Sequence, residues 1–355
     1  MPEPAANVAP EGNVSNGVAD SVLSGAGKLS RTVAVICLVA SVVSLTAKSW
    51  WVADLIANLR VQLMIGLIVC LIGLLATRQI RWAIVVVIAL VWHVSWIAPY
   101  LFAPSKPTGS PVLKVCTVNV LTQNFQYDKI VDMLKRTDAD LIAVLELGSG
   151  LESRLREELG NTYPYDISES SDDGNFGIGL WSKRPLEDDR IFHLTVPLVP
   201  SVSATVDVDG ERVRVIATHP IPPIGSRSFE SRNRHLELLA KRLRPEDSES
   251  NRRATIVVGD LNLTPWSPWY GKFLADAELK DCIEGDWLQA LTPTWYRWKA
   301  FPFGLVLDHG FCSADLRCSR RQVLEDIGSD HRPVLLEFIR GGDFSVQEVE
   351  NLQKK

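Results

Sequence analysis

Several polar side chains follow apolar runs of the sequence, at the points where buried strands are predicted to end. They are carboxylates, amides and one imidazole: Asn119, Glu146, His219, Asp260, Asn262 and Asp308. Because the backbone at a strand end is held rigidly, such side chains can meet in one cleft. Oxygen ligands without a cluster of Cys and His select Mg²⁺ or Mn²⁺. The pattern therefore predicts a shared, carboxylate-rich metal site.

Four carboxylates are expected in this site, at Glu146, Asp260, Asp308 and Asp330. A divalent cation would offset the repulsion among them. It would also polarise a phosphoryl oxygen and stabilise the negative charge that develops on a leaving group. The residues thus predict metal-assisted chemistry at a phosphoryl group.

The same residues lie in six short motifs whose order resembles the endonuclease/exonuclease/phosphatase superfamily. The motifs are Thr117-Val118-Asn119, Leu145-Glu146, Thr218-His219-Pro220, Gly259-Asp260-Leu261-Asn262, Asp308-His309 and Gly328-Ser329-Asp330-His331-Arg332-Pro333. This superfamily includes DNase I, AP endonucleases, sphingomyelinases and inositol polyphosphate 5-phosphatases. One such motif occurs often by chance, but six in the same order are specific and extend over nearly the whole soluble part of the chain.

The resemblance implies a four-layered α/β sandwich, in which two packed mixed β-sheets are flanked by helices and the site lies at one end. It implies that Glu146 is the principal metal ligand, with Asn119 beside it and Asp330 as a further carboxylate on the metal side. AP endonucleases carry Asp where this chain has Leu121, and many members carry Gln where it has Leu145. These departures argue against an abasic-site endonuclease.

The catalytic roles are also carried over from the resemblance, residue by residue. Asp260 and Asn262 match the pair that orients the attacking water and holds the phosphate. Asp308 matches the acid that fixes a histidine, here His331, and His219 matches a phosphate-contacting histidine. In-line attack by an activated water would then be assisted by both imidazoles. Either Asp260 or His331 could accept the proton of the water.

Three residues outside the motifs are candidates for substrate binding. Arg232 and Arg234 follow the His219 motif on a predicted helix and could clamp a second phosphate, although solvated helix charges explain them equally well. Trp266 begins an aromatic-rich stretch that ends at Trp298. Such side chains could stack on a base, hold a lipid, lie at a membrane boundary or belong to the core.

Strands interleaved with helices are expected to position these side chains. The predicted strands are 112–121, 141–147, 177–181, 202–208, 212–217, 254–258, 305–311 and 333–338, and the predicted helices are 128–136, 151–159 and 229–243. This alternation predicts an α/β domain with largely non-parallel sheets. Cys312 and Cys318 flank a predicted hairpin turn, where a disulfide or two free thiols are equally compatible with the pattern.

The first third of the chain has a different character. Residues 1–30 combine small and polar residues with little apolar surface, which predicts a disordered tail. Residues 31–103 contain three apolar runs without Asp, Glu, Lys or Arg, at about 32–47, 61–76 and 82–102, which predict three transmembrane helices. A linker over 104–112, the catalytic domain over 113–340 and a tail over 341–355 complete the predicted organisation.

Charge predicts the orientation of the chain in a membrane. Lys28, Arg31, Arg78 and Arg81 lie on one side of the predicted spans, against Lys48 and Arg60 on the other. The positive-inside tendency then places residues 104–355 outside the cytoplasm, on a multi-pass protein of a cell inner membrane. That part holds 31 Lys and Arg against 38 Asp and Glu, a net charge of −7, which argues mildly against non-specific binding to nucleic acid.

The predicted function is a membrane-anchored, Mg²⁺- or Mn²⁺-dependent phosphoester hydrolase that faces the outside. The resemblance implies a phosphodiesterase, a phosphatase or a nuclease. Anchoring restricts the site to substrates near the bilayer, which favours a phospholipid or a lipid-linked phosphate or pyrophosphate. An external nuclease of the DNase I type is the nearest alternative. A catalytically silent membrane scaffold with the same fold is a third. The expected partners are the lipid bilayer and the phosphoester substrate, and no stable protein partner is implied.

Overall fold

The computed structural model describes residues 12–244, 254–296 and 303–341, with side chains from residue 24 onward. Helices form its amino-terminal part: α1 Gly12–Val43, α2 Trp51–Asn58, α3 Arg60–Ala76 and α4 Ile80–Leu101, with a 3₁₀ turn at Ser44–Thr46 after α1. Because α1 begins at Gly12, most of the predicted disordered tail is helical, and residues 1–11 lie outside the described part. The helix α1 therefore begins ahead of the first predicted apolar run and continues through it to Val43.

Two of these helices are long and apolar enough to cross a membrane, Ser24–Thr46 and Ile80–Leu101. A third candidate is the pair α2 and α3, which are bent by 66° at the break between them. The structure therefore offers two spans, or three if this bent pair is one broken span. By itself, α3 has 17 residues and is about 25 Å long, near the lower limit for a crossing.

The helices α1, α3 and α4 pack side by side, so that their ends form two groups. At one end, Gly27 of α1 faces Thr77 and Gln79 in the turn between α3 and α4. At the other end, the hydroxyl of Tyr100 donates to the carbonyl oxygen of Pro265 at 3.1 Å, in the α/β domain. The segment that contains α2 lies at this second end, against the domain.

Two six-stranded sheets form the α/β domain. The first contains β1 Leu113–Asn119, β2 Leu141–Leu145, β3 Tyr165–Glu169, β4 Ile178–Ser182, β13 Leu316–Val323 and β14 Val334–Arg340, in the order β13-β14-β1-β2-β4-β3. The second contains β5 Glu187–His193, β6 Pro200–Val208, β7 Glu211–Thr218, β8 Ala254–Asp260, β9 Lys280–Asp281 and β12 Asp308–Cys312, in the order β5-β6-β7-β8-β12-β9. Strands β10 Trp295–Tyr296 and β11 Gly304–Leu305 form a small separate ribbon.

The sheets pack face to face, and helices cover their outer faces. Alternate residues of β1 point to opposite faces: Val115 belongs to the core between the sheets, and Val118 packs beneath the helices of the first sheet. These helices are α5 Tyr127–Thr137 and α6 Ser149–Leu159, and α7 Ser226–Leu243 and α8 Pro268–Ala277 cover the second sheet. A short helix, α9 Trp287–Leu291, lies near α4. The predicted sandwich of two mixed sheets flanked by helices is confirmed.

Several observed elements of the α/β domain were not predicted, and one predicted connection is wrong. The helix α8 and the strand β13 are among the elements that were missed. The edge strands β3 and β5 were not predicted, because they are largely polar and lie partly exposed. The segment between Cys312 and Cys318 is not a hairpin, since it carries the chain from β12 in one sheet to β13 in the other. Both thiols are free in the structure.

Candidate active site

The sheet topology brings the predicted site residues to one end of the sandwich. In the first sheet, β1 and β2 are parallel, with Asn119 opposite Leu145, so Asn119 and the following Glu146 leave the sheet at the same edge. In the second sheet, β12 runs antiparallel to β8 and places Asp308 directly opposite Asp260. Because the sheets pack face to face, these two edges adjoin.

Asp260 lies at the centre of the resulting hydrogen-bond network. Its Oδ2 atom is 3.3 Å from Nε2 of His219 and 3.5 Å from Nε2 of His331. The amide of Asn119 reaches the same oxygen at 3.3 Å, and the backbone N–H of Asn262 donates to Oδ1 at 2.8 Å. Asp260 is 1% exposed. Four groups on separate loops or strands thus converge on one buried carboxylate.

His331 is held by a second carboxylate. Its Nδ1 atom lies 2.8 Å from Oδ2 of Asp308, and both side chains are buried. This contact fixes the ring and directs Nε2 toward Asp260. The predicted pairing of Asp308 with His331 is therefore present in the geometry.

Glu146 supplies the atom that best fits a metal ion. Its Oε1 accepts from the amide of Asn119 at 2.8 Å, whereas Oε2 is buried without a hydrogen-bond partner among the described residues. A buried carboxylate oxygen without a donor is costly unless a cation compensates it. A second group of possible ligands consists of Asp260, Asp308 and His331, whose ligand atoms lie within 4.8 Å of one another. The donor set is rich in oxygen and fits a hard divalent cation.

Charged neighbours shift the pKa values of Asp260 and His331 in opposite directions. Burial alone would raise the pKa of Asp260, but the charges of His331 and His219 hold it down to about 2. Burial alone would lower the pKa of His331, but Asp308 and Asp260 raise it to about 10. Burial raises the pKa of Glu146, which His219, Asn119 and His331 partly oppose. Asp260 and His331 therefore stabilise each other's charged forms.

The backbone adopts unusual conformations next to the site. Leu121, Glu146 and Asn262 have positive φ angles of 60°, 56° and 53°, just after β1, β2 and β8. Such conformations cost about 1–3 kcal/mol each and persist only where the surroundings enforce them. Gly259 has φ +147°, and a Cβ atom there would lie 1.9 Å from the carbonyl oxygen of Thr218. Glycine is thus required where β7 and β8 approach each other beside Asp260.

Sequence reasoning missed three residues that support the site. The hydroxyl of Ser329 donates to the carbonyl oxygen of Asn119 at 2.9 Å and accepts from the N–H of His331. Thr294 Oγ1 accepts from the N–H of Asp308 at 3.0 Å, and the indole of Trp295 donates to Asp330 at 3.0 Å. Ser329 lies within a recognised motif, which was the available signal. For Thr294 and Trp295, the sequence offered no signal beyond their position in the aromatic-rich stretch.

The predicted substrate-binding residues do not line the centre of this network. Arg232 is fully buried and pairs with Asp54 of α2 at 2.7 Å. Trp266 is 2% exposed, and its indole donates to a carbonyl oxygen of α2. Arg234 is exposed and lies 3.4 Å from Glu237 on its own helix. Trp298 lies outside the described residues.

Residues 116–331, more than half of the chain, match the family model described as Endonuclease/Exonuclease/phosphatase family. The chain belongs to this family. Its members are generally hydrolases of phosphoester bonds. The match begins within β1 and ends at His331, so that it contains every site residue described above. The resemblance inferred from the six motifs is confirmed.

Solved structures share the fold at low sequence identity. A humanised TDP2 of D. rerio aligns with TM-score 0.53 and 18% identity, over 64% of this chain and 98% of that one. A mannosyl-6-phosphatase of Bacteroides thetaiotaomicron gives TM-score 0.52 and 19% identity, over 64% and 99%. A family protein of Beutenbergia cavernae gives TM-score 0.52 and 21% identity, over 65% and 72%. No curated protein matches the sequence.

Proposed function

We propose that this protein is a membrane-anchored, Mg²⁺-dependent hydrolase of a phospholipid or a lipid-linked phosphate or pyrophosphate. The observation that carries the proposal is the packing of the amino-terminal helices against the loop 261–267, which contains Asn262. Ile97 and Tyr100 of α4 contact Trp266, within four residues of Asn262. A site held at the end of apolar helices would meet substrates at the membrane surface.

The residues of the site supply the parts of a hydrolytic reaction. Asp260 is the candidate for accepting the proton of the attacking water, because its Oδ2 atom is the point that His219, His331 and Asn119 all approach. His331 and His219 would donate to the non-bridging oxygens of the phosphate. Glu146 would hold the cation, with Asn119 orienting its carboxylate. The carboxylate of Asp330, the further predicted ligand, accepts from the indole of Trp295. A bound Mg²⁺ would supply charge stabilisation at the phosphoryl group.

The arrangement of the helices supports three crossings, with the α/β domain outside the cytoplasm. The carboxyl-terminal ends of α1 and α4 lie on the side of the domain, and so does the whole of α2. The chain therefore crosses back to the other side through α3. Lys28, Arg31, Arg78 and Arg81 lie on the opposite side. Arg60, on the domain side, lies 4.5 Å from the ring centroids of both Trp92 and Trp96. The excess of positive charge away from the domain fits an inner-membrane protein with an external domain.

A reporter that is active only outside the cytoplasm, fused after Phe102, tests this orientation. We expect activity, because three crossings from an internal amino terminus place residue 102 outside. A fusion after Gln79, in the turn between α3 and α4, should be inactive. The reverse pattern would contradict the proposed orientation.

A substrate panel separates the proposal from its alternatives. Purified full-length protein in lipid nanodiscs with Mg²⁺ should hydrolyse phosphatidic acid or a polyprenyl pyrophosphate in the bilayer more efficiently than p-nitrophenyl phosphate, by about tenfold or more in kcat/KM. Confinement of substrate and site to one surface raises the effective substrate concentration. Faster cleavage of DNA would favour the nuclease, and no turnover of any phosphoester would favour the silent scaffold.

A further inference from the structure

Side chains of the helix α2 form hydrogen bonds with the loop that follows β8, the strand that ends at Asp260. This loop, residues 261–267, carries Asn262 near its start. Oδ1 of Asn58 accepts from both the N–H and the hydroxyl of Thr264, at 2.6 and 2.9 Å. Oδ1 of Asp54 accepts from the hydroxyl of Ser267 at 3.1 Å. All of these side chains are buried. The loop is therefore fixed by a helix more than 200 residues earlier in the sequence.

A buried ion pair extends this contact to Asn262 itself. The guanidinium of Arg232 donates to Oδ2 of Asp54 at 2.7 Å and, through its other terminal nitrogen, to the carbonyl oxygen of Asn262 at 3.1 Å. Its Nε donates to Asn233 at 2.7 Å. Arg232 and Asp54 are both 0% exposed. The planar guanidinium thus holds α2, α7 and the catalytic loop in one fixed geometry.

The position of Asn262 matters because it connects two groups of the proposed site. Its N–H donates to Asp260, and its side-chain amide lies 3.2 Å from Nε2 of His219 and donates to the carbonyl oxygen of Pro220. Its backbone has φ +53°, a conformation that persists only where neighbours impose it. The bond from Arg232 is one of the contacts that impose it.

We propose that Asp54 and Asn58 are positioning residues for Asn262, acting through Arg232 and Thr264. The amino-terminal helices are then part of the catalytic apparatus as well as its anchor. This inference rests on the proposed hydrolytic function for its kinetic consequence, although the contacts that carry it are independent of the substrate. Displacement of Asn262 by a fraction of an ångström lowers kcat, because Asp260 and His219 lose their mutual alignment, while KM changes little.

A double variant separates positioning from stability. In Asp54→Leu/Arg232→Met, an apolar pair of similar size replaces the ion pair, a change that is often neutral or stabilising for a buried site. The bond to Asn262 is lost. With full-length protein in nanodiscs, Mg²⁺ and bis-p-nitrophenyl phosphate or p-nitrophenyl phosphate, we expect an unfolding midpoint close to that of the wild type. We expect kcat to fall by about 10- to 100-fold. Wild-type kcat in the folded double variant would overturn the proposal.

Two further variants complete the test. Asn58→Ala removes the acceptor of Thr264 and should lower kcat. This variant provides the test if the double variant does not fold. Arg156→Met/Asp166→Leu removes a partly exposed Arg–Asp pair with a separation of 2.9 Å, between α6 and β3 of the first sheet, and should keep the wild-type kcat. Wild-type kcat in Asn58→Ala, or an equal loss in the control, would count against the positioning role.

Hydrogen exchange provides a readout that does not depend on turnover. Amides of residues 261–267 should exchange faster in Asn58→Ala and in the Asp54/Arg232 double variant than in the wild type, while the strands of the first sheet stay protected. If the wild type hydrolyses no phosphoester, the proposed function fails, and this exchange pattern alone decides the inference. Unchanged exchange in the loop would overturn it.

Discussion

Asp260→Asn is expected to lower kcat by about 10²- to 10⁴-fold, the range for removal of a general base. The substitution keeps the shape of the side chain but removes the negative charge at the oxygen that both His219 and His331 approach. The pKa of each imidazole should then fall, because Asp260 is one of the groups that raise it. Steady-state hydrolysis of a p-nitrophenyl ester by the full-length variant, with saturating Mg²⁺, measures the loss.

Asp281→Asn is the matched control for this substitution. Asp281 is also a buried carboxylate of the second sheet, and it accepts from the hydroxyl of Tyr270 at 2.6 Å, outside the network around Asp260. Asp281 also accepts from the N–H of Ile283 at 2.9 Å. In the variant the amide oxygen can accept that bond while the NH₂ group donates to the hydroxyl of Tyr270, so we expect kcat to remain at the wild-type value. If Asp260→Asn retained wild-type turnover, Asp260 would not be the proton acceptor, and His331 would become the candidate.

Asp54→Leu alone is expected to lower the free energy of unfolding by about 3–5 kcal/mol, because the charge of Arg232 then stays buried without its partner. For a chain of 355 residues, such a loss corresponds to a decrease of roughly 4–7 °C in the unfolding midpoint. Thermal unfolding of the full-length protein in nanodiscs measures it. Adding Arg232→Met should restore most of the midpoint, since it removes the unpaired charge.

A partly exposed Arg–Asp pair serves as the control for the buried one. Arg156 and Asp166 have side chains that are 51% and 23% exposed, and pairs in that setting contribute about 0–1 kcal/mol. Asp166→Leu should therefore lower the midpoint by no more than a few degrees. Equal losses for Asp54→Leu and Asp166→Leu would mean that α2 does not stabilise the catalytic domain through its buried pair.

Much of the site could be predicted from the sequence because its residues follow buried strands. Apolar runs locate β1, β2 and β8, and the polar residues that end them, Asn119, Glu146 and Asp260, must then lie at strand ends. The motif around His331 marks the start of β14 in the same way. Strand direction and register could not be obtained from these patterns, since they depend on pairing between distant segments.

The contacts between the amino-terminal helices and the domain could not be predicted. Arg232 has the pattern of a helix residue that faces solvent, and its partner Asp54 lies 178 residues away, between two apolar runs. No periodicity links such a pair. Trp266 likewise has no local signal that distinguishes a substrate contact from packing against Asn58 and Tyr100. Long-range burial decides both cases, and local sequence does not encode it.

The dependence of phosphoester hydrolysis on Mg²⁺, titrated for the wild type and for Glu146→Gln, tests the central proposal most directly. Full-length wild type should turn over a p-nitrophenyl ester with added Mg²⁺ and lose activity in EDTA. Glu146→Gln should require at least about tenfold more Mg²⁺ for half-maximal rate, because it lacks the carboxylate charge beside the cation. Turnover that persists in EDTA, or an unchanged Mg²⁺ requirement in the variant, would contradict a metal site at Glu146.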